Sequence, residues 1–321
     1  MSTGKEGFDI GIIYEHPEWH EPLFEELDKQ KVNYVKIDLK KGAFRYEDIP
    51  SATVYYNMVS PSAYVRGNQK AVPFAFALCR NLEYQEAIVL NGSRSMSLEF
   101  SKSSQIALMN SISVDHPKSI TFNDVESISK YNSSLRFPMV LKPEQGGSGA
   151  RMYIINSIDE LKQLLNDNPE LWLPDNLLLL QERLNYDEDF GIVRVEFIGG
   201  EFLYAMRVIT HGVFNLCPST VCNPEDGEEG SCEVVIVEKK PEFYPYPEIP
   251  IEAVKTAQQI MMASGHDIGS VEYIETKNGR RVFYDINANS NLRSSIAIKF
   301  GKEPFTEVVQ YLLKRSKNSK N

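Results

Sequence analysis

Cysteine is scarce: Cys79, Cys217, Cys222 and Cys232 are the four in a chain of 321 residues. Their uneven spacing excludes a disulfide scaffold and fits a reducing, cytoplasmic setting. No apolar run approaches the roughly 18 residues a membrane-spanning helix needs, so no membrane role is expected. The opening MSTGKEGFDIGIIYEH has no apolar h-region before a small-residue cleavage site, so no secretory signal is expected either. Positive charge is in deficit. Lys and Arg number 34 against 44 Asp and Glu, a formal net charge of -10, and the basic footprint of a nucleic-acid binder is missing. Internal repeats are absent, as is the phosphate loop GxxxxGK[ST]. The remainder is ordinary globular composition, 42% hydrophobic and 24% charged, long enough for two or three compact units.

The first part of the chain alternates strand and helix patterns. Apolar runs at 8–13, 33–39, 52–59 and 86–92 are separated by helical periodicity at 22–30 and 71–84. That alternation predicts an open parallel sheet, with a ligand crevice at its strand ends. A helix is expected over 99–111, ending before His116–Pro117, and another over 159–166, with Ser157 and Glu160 in a capping-box pattern. LLLLQERL (177–184) reads as a very apolar strand that turns polar at its end. Beyond it the strands read as antiparallel, with hairpin turns at Gly199–Gly200 and Asn278–Gly279 and a further strand at CEVVIVEK. Amphipathic helices are expected over 251–264 and 305–314. PEFYPYPEIP (241–250) reads as a rigid connector and the terminal KRSKNSKN as a frayed, solvated tail.

Three groups of residues carry chemistry. In VLKPEQGGSGARMYII, Lys142 ends an apolar strand and Gly146, Gly147, Ser148 and Gly149 follow. A lysine there suffers desolvation unless it meets an anion, and a glycine loop exposes N–H groups that can close over phosphate. A snorkelling lysine beside a flexible turn is the plainer alternative. In SVEYIETKNGRRVFYDINANSN, strand alternation puts Asp285 and Asn287 on one face, with Glu272 on the neighbouring strand. Two carboxylates and an amide oxygen suit magnesium shared with phosphates, whereas a solvated polar face would not sit among Val282, Phe283 and Ile286. Gln181, Glu182, Arg183 and Leu184 end a strand whose free backbone groups can pair with an adenine edge. Glu188 or Asp189 can then take ribose hydroxyls, although by itself this stretch is an ordinary strand end.

In this order the three groups resemble the ATP-grasp superfamily over nearly the whole chain, above all its RimK-like and D-alanine–D-alanine ligase-like carboxylate–amine ligases. VLNGSRSMSLEFSKSSQIALM is similar to the family segment that carries a first phosphate-binding lysine, here Lys102. HPKS is similar to the family's lead-in to the next strand, and FPMVLKPEQGGSGARMYII to its second lysine and glycine-rich lid. RVEFIGGEFLYAMRV resembles the hairpin that ends in a phosphate-binding arginine, here Arg207.

The resemblance implies an N-terminal Rossmann-like parallel-sheet domain (1–97), then a two-lobed ATP-grasp fold, α/β and α+β, with a small lobe at 98–180 and a metal-bearing lobe at 181–321. It implies ATP with Mg2+ or Mn2+ and a carboxylate–amine, or carboxylate–thiol, ligase that activates a carboxylate as an acyl phosphate. The substrates are then small-molecule or peptide carboxylates and amines, and a homo-oligomer is compatible. Arg293 and Arg207 become catalytic candidates; Arg66, Arg194, Asn215 and Asn289 become substrate candidates. The family's metal triplet runs Asp, Glu, Asn, whereas here it runs Glu, Asp, Asn. Asn289–Ser290–Asn291 replaces the usual Ser-Pro-Gly, so the known acceptors do not carry over. The apolar THGVFNLCPSTVC reads as a pocket wall rather than a cysteine metal site, and His211 as a hydrogen-bonding residue rather than a base. A kinase-like phosphotransferase and a non-catalytic nucleotide-binding module are the alternatives.

Overall fold

The computed structural model describes residues 7–16, 18–147, 149, 151–211, 241–288 and 292–318. Strands β1 (Phe8–Tyr14), β2 (Tyr34–Asp38), β3 (Ala52–Asn57) and β4 (Ile88–Leu90) form a parallel four-stranded sheet in the order β2-β1-β3-β4. Parallel pairing requires crossovers, and α1 (Glu21–Lys29) and α2 (Ala71–Tyr84) supply two of them. Ile10, Ile12, Ile13 and Val54 are wholly buried, as a sheet covered on both faces demands.

The helix expected over 99–111 is two helices, α3 (Ser93–Glu99) and α4 (Lys102–Ser111). Ser101 interrupts them in an extended conformation and caps α4, accepting from the Ser104 N–H at 3.1 Å. The break makes Lys102 the first residue of a helix instead of a mid-helix position.

A second sheet, antiparallel with order β5-β8-β6-β7, uses β5 (Ser119–Phe122), β6 (Met139–Pro143), β7 (Tyr153–Ile155) and β8 (Leu178–Glu182). Helix α5 (Ile158–Asp167) closes one side, burying Leu161 and Leu165 with Phe122, Leu141 and Leu180. Its start has the expected cap: Ser157 Oγ accepts from the Glu160 N–H at 3.1 Å, and Glu160 reaches back to the Asn156 N–H at 2.9 Å.

The third sheet has the order β11-β10-β9-β12-β13, from β9 (Ile192–Ile198), β10 (Glu201–Ile209), β11 (Glu242–Pro245), β12 (Ile268–Glu275) and β13 (Arg281–Asn287). Both expected hairpin turns form, with positive φ at Gly199, Gly200 and Gly279. Helix α6 (Ile251–Ser264) covers one face; the other faces the cleft. Part of the expected connector is strand β11, because Glu242–Pro245 finds an open edge on β10. The strand expected at CEVVIVEK lies outside the described residues.

The terminal segment is no frayed tail through Asn318. After the short α7 (Ser294–Ala297), α8 (Pro304–Asn318) returns to the first sheet, where Val308, Val309 and Leu312 pack with Ile10, Val54 and Tyr56. Arg315 anchors it to Asp267 at 2.8 Å, an ion pair that the basic composition of the segment hides. Among the described residues no helix is long and apolar enough to cross a membrane.

Candidate functional site

One cleft of about 660 Å³ lies where the three sheets meet, within the size range of small-molecule sites. Lys102 enters it from the start of α4 and Lys142 from β6. Strand alternation sets the second: Val140 and Lys142 line the cleft while Leu141 enters the core behind. The helix dipole of α4 is not itself open to an anion. The Glu144 carboxylate already accepts from the Ser103 N–H at 3.1 Å and from the Ser101 and Ser103 hydroxyls at 2.5 Å.

The two lysines differ. Lys102 Nζ lies 2.9 Å from Asp285 Oδ1. Burial works against its charge, but Asp285, Glu272 and Glu144 together hold its pKa above the ordinary value. Lys142 is 7% exposed, with its ammonium 5.5 Å from the Tyr284 ring. Burial, with Lys102 adding to it, pulls its pKa down to about 8. Among the described residues it has no carboxylate at ion-pair distance, so its charge is left for a ligand.

Glu272, Asp285 and Asn287 converge as the sequence predicts. Glu272 pairs with Asp285 across β12 and β13, and Ser270 with Asn287. Glu272 is held on three sides: by the Tyr284 hydroxyl at 2.8 Å, Arg194 Nη1 at 3.3 Å and the Asn287 amide at 3.4 Å. Burial raises its pKa; the charge of Asp285 raises it further and Arg194 opposes. Two like charges side by side, one buried, fit a divalent cation, which would offset both the burial and the mutual repulsion. Among the described residues no group of three or more His, Cys, Asp or Glu could hold a metal, so the donor set is two carboxylates and an amide.

At the other end, Gln181, Glu182, Arg183 and Leu184 all line the cleft as β8 leaves its sheet. Gln181 donates to Ser119 Oγ at 3.0 Å, and Glu182 pairs with Arg280 at 3.0 Å. Phe137, Val140, Ile154, Ile192 and Ile274 provide apolar walls suited to a flat ring. Glu188 reaches the cleft; Asp189 is not part of its lining, and its N–H donates to Asp187 Oδ1 at 3.1 Å. Gly146, Gly147 and Gly149 also line the cleft.

Three expected arginines are elsewhere. Arg207 lies on the opposite face of the third sheet, with its guanidinium 4.9 Å from the Phe190 ring and 5.9 Å from the Tyr244 ring. The reason is a register shift between Phe202 and Tyr204, which pairs Arg207 with Val193 and gives Met206 the cleft-side pairing with Arg194. Arg293 is stacked 3.5 Å over Phe243, outside the cleft lining. Arg66 is buried against Glu15 behind the wall, donating to Ser62 Oγ at 2.9 Å and lying 5.3 Å from the Trp19 ring. It therefore braces two residues, Ser62 and Trp19, that do line the cleft. Arg194, expected on the acceptor side, sits instead beside the carboxylate pair, bound to Glu196 at 2.8 Å and to Glu272.

His211 is hydrogen-bonded, 2.8 Å from Glu242 Oε1. Ser148, Asn215, Asn289 and the cysteines Cys217, Cys222 and Cys232 lie outside the described residues; Cys79 is a buried free thiol. Tyr284, Glu99, Glu144 and Glu196 are site residues that the sequence reading missed. Its place next to Asp285, a candidate metal ligand, was the one available signal for Tyr284.

No protein-family model matches the chain, and no curated protein matches it by sequence. Solved structures do. The chain is similar to the ATP-grasp ligase PsnB complexed with a minimal precursor, with 16% identity and a TM-score of 0.66 over 96% of this chain and 99% of that one. A second PsnB structure holds a phosphomimetic variant of that precursor, Mg and ADP. It is also similar to the D-alanine–D-alanine ligase of Bacillus anthracis complexed with ATP, with 14% identity and a TM-score of 0.68 over 98% and 99% of the two chains. A RimK-domain ATP-grasp protein of Sphaerobacter thermophilus gives 14% identity and a TM-score of 0.64 over 95% and 99%. At such identities the shared property is the fold. The chain has the ATP-grasp fold, with a parallel-sheet domain ahead of two antiparallel lobes, as the order of its motifs led one to expect.

Proposed function

We propose that the protein is an ATP-dependent carboxylate–amine ligase that forms an amide bond through an acyl phosphate, releasing ADP and phosphate. One observation carries this reading: Lys102, Lys142, Arg194, Glu272, Asp285 and Asn287 converge in a single cleft beside a glycine loop. Two of the neighbouring folds, PsnB and the D-alanine–D-alanine ligase, are ligases, seen with Mg and ADP or with ATP, and PsnB also with a precursor peptide. Those observations support a triphosphate here and a small-molecule or peptide carboxylate as the group activated.

The chain's own residues then divide the work. Gln181 to Leu184 and the apolar walls hold the base, and Glu188 the ribose. Lys142 and Lys102 bind phosphate oxygens, and Arg194 takes the part expected of Arg207, at the metal face. Glu272, Asp285 and Asn287 would hold magnesium, which when bound shields phosphate charge. Gly146 to Gly149 close over the phosphates and keep water from the acyl phosphate.

The test is incubation with magnesium-ATP and a metabolite and peptide extract, with Lys142→Ala as control. Phosphate release, a hydroxamate when hydroxylamine is added, and a new amide mass are expected only with the native protein. Phosphorylated alcohols in place of hydroxamates would move the assignment to a phosphotransferase. No phosphate release with any fraction would reduce the protein to a nucleotide-binding module.

A further inference from the structure

The order β2-β1-β3-β4 makes the junction of β1 and β3 the point where the chain changes sides of the first sheet, the place where an open parallel sheet leaves a crevice beyond its strand ends. The loops that leave these two strands bring Trp19, Ser60, Pro61 and Ser62 to the cleft. The nucleotide and metal roles assigned above use none of the four.

Trp19 is a half-buried ring already held in place. The His16 imidazole stacks on it, with ring centres 4.1 Å apart and 10° between the planes. His16 Nδ1 is itself fixed, accepting from the Glu18 N–H at 3.0 Å and the Trp19 N–H at 3.2 Å. Arg66 lies 5.3 Å from the Trp19 ring and donates to Ser62 Oγ at 2.9 Å, so one guanidinium ties the indole to the serine turn. Its charge is answered by Glu15: the two side chains pair almost wholly buried, and Asn68 donates to Glu15 at 3.0 Å. The Ser60 and Ser62 hydroxyls lie 2.9 Å apart and bond to each other. These loops therefore offer the cleft an indole, a pyrrolidine ring and two paired hydroxyls, with no net charge.

A Cβ on Gly147 would sit 2.8 Å from the Ser62 backbone nitrogen, so this wall lies against the loop that, on the ligase reading, covers the acyl phosphate. The acyl group, not the adenine, is what meets it. A rigid, uncharged aromatic surface gains by burying apolar area, whereas a charged group set against it loses hydration without a partner. We infer that Trp19, with Pro61, is the specificity-determining surface for the acyl donor, and that the carboxylate activated here carries an aromatic or branched aliphatic side chain seated on the indole. The inference rests on the ligase reading and narrows it, from any small-molecule or peptide carboxylate to one with a bulky apolar side chain beside the reacting carboxyl. Glu99 also lines the cleft, so a preference for basic side chains is the competing outcome.

The test supplies magnesium-ATP, hydroxylamine as a common amine, and two pools of L- and D-amino acids and dipeptides as carboxylates. One pool ends in Phe, Tyr, Trp, Leu, Ile or Val, the other in Asp, Glu, Asn, Gln, Lys or Arg. Native protein should form hydroxamate from the apolar pool at least about tenfold faster than from the polar pool. Trp19→Ala should lose about ten- to a hundredfold in kcat/KM for the best apolar donor, chiefly through KM, and stay within about threefold for the polar pool. Trp19→Phe should recover most of the loss, and Mg-ADP binding, read by thermal shift, should be unchanged in both variants. If Trp19→Ala does not fold, fluorescence decides. The chain has two tryptophans, and the other, Trp172, packs 5.6 Å from Phe122 in the second sheet's core, so Trp172→Phe leaves Trp19 as the sole reporter. Its emission should shift with the apolar pool and Mg-ADP and not with the polar pool. A polar or basic preference, equal loss on both pools, a silent Trp19, or hydroxamate from neither pool while the metabolite and peptide extract releases phosphate overturns the assignment. An extract that releases no phosphate instead defeats the ligase reading, and this assignment with it.

Discussion

Lys102 Nζ lies 2.9 Å from Asp285 Oδ1, across 183 residues of chain. The contact ties the first turn of α4 to strand β13, so two walls of the cleft are held to each other before a ligand arrives. It also keeps the Asp285 charge from standing alone beside Glu272.

Replacing Lys102 by alanine should weaken Mg-ADP binding roughly ten- to a hundredfold, the equivalent of a charge-assisted hydrogen bond of about 1.5–3 kcal/mol. Isothermal titration against native protein checks this. Unchanged affinity would show that the amine serves Asp285 alone.

Arg194→Ala and Arg207→Ala should part company. Arg194 is shared by Glu196, which is fully buried, and Glu272. Its loss leaves two buried carboxylates short of counter-charge, costing about 3–5 kcal/mol in urea unfolding and abolishing phosphate release. Arg207→Ala, on the far face, should lose about 0.5–1 kcal/mol of ring contact and keep turnover within about twofold. Equal inactivation of both would return Arg207 to the site.

The pH dependence of Lys142 has two opposite signs. Its pKa is about 8 in the fold against an ordinary 10.5, so between those values the unfolded chain binds more protons. The stability contribution of this group is therefore fully present above pH 10.5 and is lost as pH falls to about 8. Nucleotide affinity runs the other way, because phosphate needs the charged amine and affinity should decline once pH passes about 8. Lys142→Met should abolish that decline in titrations of Mg-ADP against pH; a decline that survives the substitution assigns it to another group.

How far the sequence reveals this site is decided by two β-bulges. Alternation alone correctly unites Glu272, Asp285 and Asn287, and desolvation marks Lys142. Counting back from the Gly199–Gly200 turn without interruption would pair Arg207 with Ile192 and put it on the same face as Arg194. The shift between Phe202 and Tyr204 pairs it with Val193 instead and turns it away. The shift between Glu272 and Tyr273 has the reverse effect, because the extra residue in β13 brings Tyr284 to the cleft beside Asp285. Neither bulge carries a glycine or proline to announce it. The parallel sheet was readable from strand–helix alternation, whereas α8 was cut short because its polar last turn conceals the Asp267 anchor.

Gly147 offers the sharpest geometric test. A Cβ there would come within 2.8 Å of the Ser62 nitrogen and 2.9 Å of its Cβ, closer than side chains tolerate against backbone. Ser62 cannot retreat easily, since it is buried and its hydroxyl is held by Arg66 at 2.9 Å. Gly147→Ala should therefore hold the loop away from the first domain and admit water. Nucleotide binding should persist, because Lys102, Lys142 and the base pocket are untouched, but phosphate release should become uncoupled from amide formation. The measurement is the ratio of phosphate to amide, expected near one in native protein and several-fold higher in the variant. Gly200→Ala is the control, a turn glycine with nothing within 4 Å and a φ of +81°. Its backbone strain lowers stability without altering that ratio. A ratio that stays near one in Gly147→Ala would mean the loop excludes water without resting on Ser62.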